Sequence, residues 1–238
     1  MIFAIWGRDG TGKSTLADAL GLIFAKRGVT AIIDADLTQP TLPARINGKK
    51  LSAEASLGKA ISGMGADDAA KYLHQHPRKK RLFYAGLTDK DEYLSFELGL
   101  DATDAARDFM ERCAALADTV ILDLSGQRSD PFLPAALSGA DTLIIPITPD
   151  VQGVCWFNAV KPFLEAMNAG GRILPVAAMA VQPPMAVIEK TVDVRFAAAL
   201  PFVREFRQDD VEAATTTAAT RYMKQVRALY KKLTEVTA

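Results

Sequence analysis

Cysteine is scarce: the 238 residues hold two, Cys113 and Cys155, far apart in the chain and in no CxxC pair or Cys/His ligand cluster. A disulfide scaffold or structural zinc is thereby excluded, and a reducing, cytoplasmic compartment is the expectation. Net charge is missing too, since 28 Lys plus Arg balance 28 Asp plus Glu. A formally neutral chain offers no bulk attraction to nucleic acid or an anionic membrane, which leaves only a local patch for such a role. No apolar run approaches the roughly 18–20 residues of a membrane span. The opening residues MIFAIWG have no basic segment before their short apolar run and lead into a glycine loop, so they read as a buried strand rather than a signal peptide.

What is present is an ordinary globular balance, 49% hydrophobic and 24% charged. Such a chain buries roughly 70–75% of its unfolded surface without a staple, and one domain over residues 1–238 is the economical reading. Apolar, β-rich runs at 2–6, 29–33, 81–85, 119–124, 142–146 and 173–180 alternate with helical spacing at 13–26, 104–116 and 153–167. That alternation predicts an α/β fold, a doubly wound, mostly parallel sheet with helices on both faces. A short run at 200–203 is expected to add an edge strand. Residues 41–80, rich in Gly, Ala and charge, read as an insertion above the carboxyl ends of the strands. Over 220–236, Tyr222, Val226, Leu229, Leu233 and Val236 fall on one helical stripe, with Arg221, Lys224, Arg227, Lys231 and Lys232 mostly elsewhere. This predicts a terminal helix docked on the sheet; a basic helix lying on a membrane is the weaker alternative, because the stripe has few large aromatics.

Residues 7–15 read Gly7-Arg8-Asp9-Gly10-Thr11-Gly12-Lys13-Ser14-Thr15, between a predicted strand and a predicted helix. This is the G-x-x-x-x-G-K-[ST] phosphate loop in its confirming context. Glycines let backbone N–H groups encircle phosphate oxygens, and the helix adds its positive N-terminus. Lys13 is then placed between the β- and γ-phosphates of a nucleotide, and Ser14 offers its hydroxyl to Mg²⁺.

Carboxylates further along narrow the class. The second strand ends in Asp34-Ala35-Asp36-Leu37-Thr38-Gln39-Pro40, two acids two apart beside the phosphate loop of a doubly wound sheet. One of them suits positioning of an attacking water, the other the metal shell; capping of the next turn is the plainer alternative. The strand run Thr119-Val120-Ile121-Leu122 ends in Asp123, the Walker B arrangement in which a carboxylate holds Mg²⁺. Gly126 then leaves the following segment free to move with the γ-phosphate.

Together GRDGTGKST, DADLTQP, VILDLSG and ADTLIIPITPDVQGV resemble the MinD/ParA family of deviant Walker A P-loop ATPases, of the SIMIBI class, from Ile2 to about Val203 with residues 41–80 outside the likeness. The resemblance implies an ATP- and Mg²⁺-dependent ATPase that forms a homodimer around two nucleotides and is separated by hydrolysis, often under an activating or cargo protein. It implies Asp36 as the catalytic acid, Asp123 as the Walker B acid and Thr148-Pro149 as the loop after the next strand; the reading of the residues themselves adds Ser14 and Asp34 at the metal. The family's signature loop Lys, which reaches the partner's phosphate, is replaced here by Arg8, whose planar fork suits the same role in trans. Asp9 stands where the family has glycine, beside phosphates, and must turn away or bind local N–H groups. The adenine-recognising Asn has no clear counterpart in AAMAVQPP, which leaves Pro201-Phe202 as a wall for the base. The two cluster-bridging cysteines of iron–sulfur relatives are not matched: Asp130 and Pro131 occupy that neighbourhood, and Cys113 and Cys155 read as small buried hydrophobes.

Three functions compete. A dimerising switch ATPase positions or partitions a cargo, such as a plasmid or chromosome, a division site, or a secretion or conjugation assembly. A nucleotide kinase is the alternative, because G-x-D-G-x-G-K-S-T is similar to the loop of thymidylate kinases; it needs an arginine-bearing lid, a role into which the basic run His76-Pro77-Arg78-Lys79-Lys80-Arg81 can be pressed, although it abuts a strand and lacks an acceptor-binding pattern. Non-specific DNA binding would use Arg78–Arg81 with Arg107 or the C-terminal basic face, and would weaken steeply with salt.

Overall fold

Fully buried apolar runs form the centre of the molecule. The computed structural model describes residues 1–46, 51–62, 68–92, 96–167, 169–180, 185–207, 211 and 214–236. In chain order the elements are β1 (Ile2–Ile5), α1 (Lys13–Phe24), β2 (Thr30–Asp34), α2 (Leu42–Arg45), α3 (Leu57–Ile61), β3 (His74–Gln75), β4 (Leu82–Ala85), α4 (Ala102–Leu116), β5 (Thr119–Asp123), α5 (Phe132–Gly139), β6 (Thr142–Ile147), α6 (Val151–Ala166), β7 (Ile173–Ala177), α7 (Met185–Val192) and α8 (Thr217–Val236). The strands make one sheet in the order β3-β4-β2-β5-β1-β6-β7. Every pairing is parallel except that of the short edge strand β3 with β4.

Side chains along each strand alternate between two cores. Phe3, Ile5, Ile32, Ile121 and Ile144 face α1 and α8, while Ala4, Ile33, Val120, Leu122, Leu143 and Ile145 face α3 to α6. All residues of β2, β5 and β6 are buried, as strands covered on both faces require. The doubly wound, mostly parallel expectation is met. On α8, Tyr222, Val226, Leu229 and Leu233 are buried and the five basic residues are exposed, so the stripe is already covered by the α1 side of the core. Among the described residues no helix is long and apolar enough to cross a membrane.

Several readings change. No edge strand forms at 200–203: the segment touches β7 through a single parallel bridge, Ala199 to Ala177, and the Leu200 N–H donates to the Ala177 carbonyl at 2.7 Å. Just past β7, Met179 takes a left-handed backbone (φ 54°), which breaks the extended run that a longer ladder would need. Helices α5 and α7 were not anticipated, each being only eight residues long, too short for a clear period. Residues 41–80 do not simply sit above the strand ends. Leu42 and Ile46 enter one core, Leu57, Ile61 and Tyr72 the other. The run 76–81 forms the turn between β3 and β4, where the Thr30 N–H at the start of β2 donates to the Arg81 carbonyl at 2.8 Å. It therefore lies at the amino ends of the parallel strands, opposite the glycine loop, and cannot serve as a lid over that loop. Cys155 is exposed; only Cys113 is buried, and burial pushes its thiol up to about 12.

Candidate functional site

The parallel register decides where the chemistry collects. Ile5 is level with Asp123, and Asp123 with Asp34, so the loop after β1 and the carboxylates ending β2 and β5 emerge side by side, the crevice where open α/β sheets bind ligands.

Within the loop, Gly10 (φ 77°) and Gly12 (φ 81°) take left-handed backbone that other residues rarely adopt. Gly12 is the N-cap of α1, and the first turn of that helix carries no acid to compete for its N–H groups. The Lys13 ammonium folds back over the loop, donating to the carbonyls of Gly7 (3.0 Å) and Arg8 (3.3 Å) and to Asp9 Oδ1 (3.2 Å). Thr11 donates from its hydroxyl to the Arg8 carbonyl at 2.8 Å and tightens the turn. Asp9 Oδ1 also accepts the Gly126 N–H at 3.1 Å. Its carboxylate thus bridges the loop to the segment after β5, and the charge expected to be unwelcome beside phosphate is spent on a local N–H and on Lys13.

A cavity of about 480 Å³ opens over the loop, walled by Asp9, Gly10, Gly12, Lys13, Ser14 and Thr15 on one side and by Asp34, Asp36, Asp123, Ser125 and Gln127 on the other. Asp36 turns back on its own segment: its Oδ1 accepts the Thr38 N–H (2.9 Å) and hydroxyl (2.5 Å). Met179 joins this cavity to a smaller apolar slot of about 80 Å³, lined by Thr11, Thr15, Leu200, Pro201, Phe202 and Tyr222. The structure thus brings Pro201-Phe202 beside the phosphate loop. Residues 181–184, within the segment read for a base-recognising Asn, lie outside the described residues.

Two sequence-predicted residues point elsewhere. Gly7 lies beneath the loop against Pro146. Arg8 turns from the cavity onto the start of α6, donating to Gln152 Oε1 (2.6 Å) and Thr148 Oγ1 (3.2 Å). Thr148 and Gln152 therefore anchor Arg8 inside its own chain.

Sequence reading missed two charged residues at the heart of the acids. Arg45, at the end of α2, has a side chain only 7% exposed and pairs with Asp123, with Asp34 (Nε to Oδ2, 3.5 Å) and with Asp18 of α1 (3.7 Å). Thr41 donates its hydroxyl to Asp34 as well. Burial pushes the carboxyls of Asp18 and Asp34 each up to about 6, against the pull of Arg45, with neighbouring carboxylates adding to the rise. For Arg45 burial works against the charge, yet Asp18, Asp34 and Asp123 more than offset it and hold the guanidinium well above its ordinary value. Signals existed: Asp18 interrupts the apolar face Leu16-Ala17-Ala19-Leu20, and Arg45 stands between the core residues Leu42 and Ile46.

The donor set fits a magnesium-bound nucleotide. The glycine loop and Lys13 line one wall, where their N–H groups and ammonium suit phosphate, Ser14 is exposed on that wall, and Asp123 and Asp34 stand opposite. No three His, Cys, Asp or Glu among the described residues form a metal cage of their own; a phosphate-borne Mg²⁺ asks only one or two protein carboxylates.

Comparison with known proteins gives one consistent result. No protein-family profile matches the sequence, and no curated protein matches it. Solved structures do. The septum site-determining protein MinD of Pyrococcus horikoshii with Mg-ADP matches at TM-score 0.74 and 16% identity, covering 100% of this chain and 99% of its own. A ParA family ATPase from Chlorobium tepidum matches at 0.74 and 16%, over 96% and 98%. An Asp-to-Ala variant of McdA from Cyanothece, in complex with ATP, matches at 0.73 and 16%, over 100% and 96%. Over its whole length, then, the chain has the P-loop fold of the MinD- and ParA-type structures.

Proposed function

We propose that this chain is a switch ATPase of MinD/ParA type, which binds Mg-ATP, dimerises on it, hydrolyses it slowly and so positions or partitions a cargo. One observation carries the reading: a left-handed glycine loop, a helix N-terminus, Lys13 and three strand-tip carboxylates share one cavity beside an apolar slot of base-like character. The solved structures of the same fold hold Mg-ADP and ATP.

In this reading the amides of residues 10–15 and Lys13 take the β- and γ-phosphates, and Thr11, Thr15, Pro201 and Phe202 flank the nucleoside. Ser14, Asp123 and Asp34 would hold Mg²⁺, which when bound would neutralise charge at the phosphates. Asp36, released from Thr38, orients the water that attacks the γ-phosphorus. Arg8, released from Gln152, reaches a partner protomer's phosphate in trans. No lid faces the loop from the 76–81 turn, which weighs against the kinase alternative.

Light scattering with ADP and with a non-hydrolysable ATP analogue tests the switch. The mass should stay near the 25.6 kDa monomer with ADP and double with the analogue. A mass indifferent to the nucleotide would refute the dimerising mechanism.

A further inference from the structure

A charged group buried to 7% exposure among three carboxylates is expensive to place and unusual in a site read as binding a divalent cation. The guanidinium of Arg45 has one nitrogen on Asp123 Oδ2, another facing Asp34 Oδ2 and a third facing Asp18 Oδ1. Asp34 and Asp123 are the two acids that the nucleotide-site reading assigns to Mg²⁺, and the inference rests on that reading. A carboxylate oxygen engaged by a guanidinium N–H cannot at the same time accept a metal or a metal-bound water along that direction, and two cations side by side repel. The backbone around Arg45 is fixed from both sides, since Leu42 and Ile46 are fully buried. The side chain, rather than the helix, is the part able to move.

We infer that Arg45 is a built-in stand-in for the divalent cation: its guanidinium and Mg²⁺ claim the same oxygens of Asp34 and Asp123, so the metal enters with the nucleotide only by evicting it. Asp18 is the third member of the device. It lies on α1 one turn beyond Lys13 and is no part of the phosphate loop, and it gives Arg45 a carboxylate that the metal does not need. Eviction then ties nucleotide binding to the segment from the end of β2 through α2, because Thr41 and Arg45 hold Asp34 together. The arrangement also makes free Mg²⁺ a poor ligand: without phosphates to share the cost, it must displace a cation already paired three ways.

Competition is measured by two experiments on the full chain. In thermal unfolding with Mg²⁺ alone, the wild type should show no rise in midpoint up to millimolar metal. Arg45→Ala should unfold earlier without metal, because three acids lose their cation, and should recover with Mg²⁺. In calorimetric titration with ADP, the gain in affinity on replacing EDTA by Mg²⁺ should be larger in Arg45→Ala and Arg45→Gln than in wild type by about tenfold or more. Arg45→Lys keeps a charge in the cluster, guards the fold and should give an intermediate gain. Equal metal gains in all four proteins, or metal that stabilises wild type and variants alike, would make Arg45 a permanent structural clamp and overturn the inference. The unfolding series needs no nucleotide; ADP that binds none of the proteins would sink the site reading, while that series still decides on Arg45.

Discussion

Asp36 lines the cavity, Asp130 lies five residues beyond Ser125 of its wall, and the two differ in what holds them. Asp36 is partly exposed and, among the described residues, bonded only to Thr38 of its own turn, so it is free to reorient toward a water. Asp36→Ala is expected to keep ATP affinity within a few-fold while phosphate release slows by about 100-fold, the usual scale for losing a positioned base. A variant that hydrolyses at the wild-type rate would pass the role to another acid. Asp130 is 6% exposed and accepts N–H bonds from Ser125 (3.0 Å) and Phe132 (2.8 Å) and the Ser125 hydroxyl (3.1 Å). Burial still pushes its carboxyl up to about 6, against those three bonds. An acid whose folded pKa exceeds its unfolded value of 3.8 binds its proton more tightly when folded. Its stabilisation is complete below about pH 4 and is lost as pH rises through about 6. Urea unfolding across that window should show the wild type losing on the order of 2–3 kcal/mol more than Asp130→Asn. Parallel pH profiles would contradict the assignment.

At the level of elements, α1 has two tasks. Its N-terminus closes the phosphate loop, and its apolar face, Leu16, Leu20 and Phe24, joins α8 in one core. Phe24 meets Tyr230 edge-on at 4.7 Å between ring centres. Leu229 is fully buried in that core, and Leu229→Ala should cost about 2–4 kcal/mol in chemical unfolding, with nucleotide affinity little changed because the loop itself is untouched. A cost under about 1 kcal/mol would mean that α8 is only loosely docked. Elements with long apolar runs or a long helical stripe, β1, β2, β5, β6, α1 and α8, were legible in sequence because local pattern alone determines them. Helix α2 was not: four residues carry no period, and its position depends on Leu42 and Ile46 finding the core.

Across the molecule the same division holds. Glycine loop and strand-tip acids could be read as one site because a parallel sheet puts all carboxyl ends on one side, so order along the chain implied proximity. Arg45, Asp18 and the turn of Arg8 toward Gln152 and Thr148 are products of tertiary packing between segments distant in sequence, and no local motif encodes them. Both cations of the site are paired within the chain, Lys13 with Asp9 and Arg45 with the acid cluster. The cavity is in this sense balanced against itself, and in the proposed reading a nucleotide with its metal would take the place of both pairings.

The central claim is that residues 10–15 and Lys13 grip a nucleotide's phosphates, and calorimetric titration of Mg-ATP into wild type and Lys13→Ala tests it most directly. The account predicts one site per chain in the wild type and an affinity about 10–100-fold weaker in the variant, the scale of one charge-assisted contact to phosphate. Equal affinity in the two proteins would contradict it.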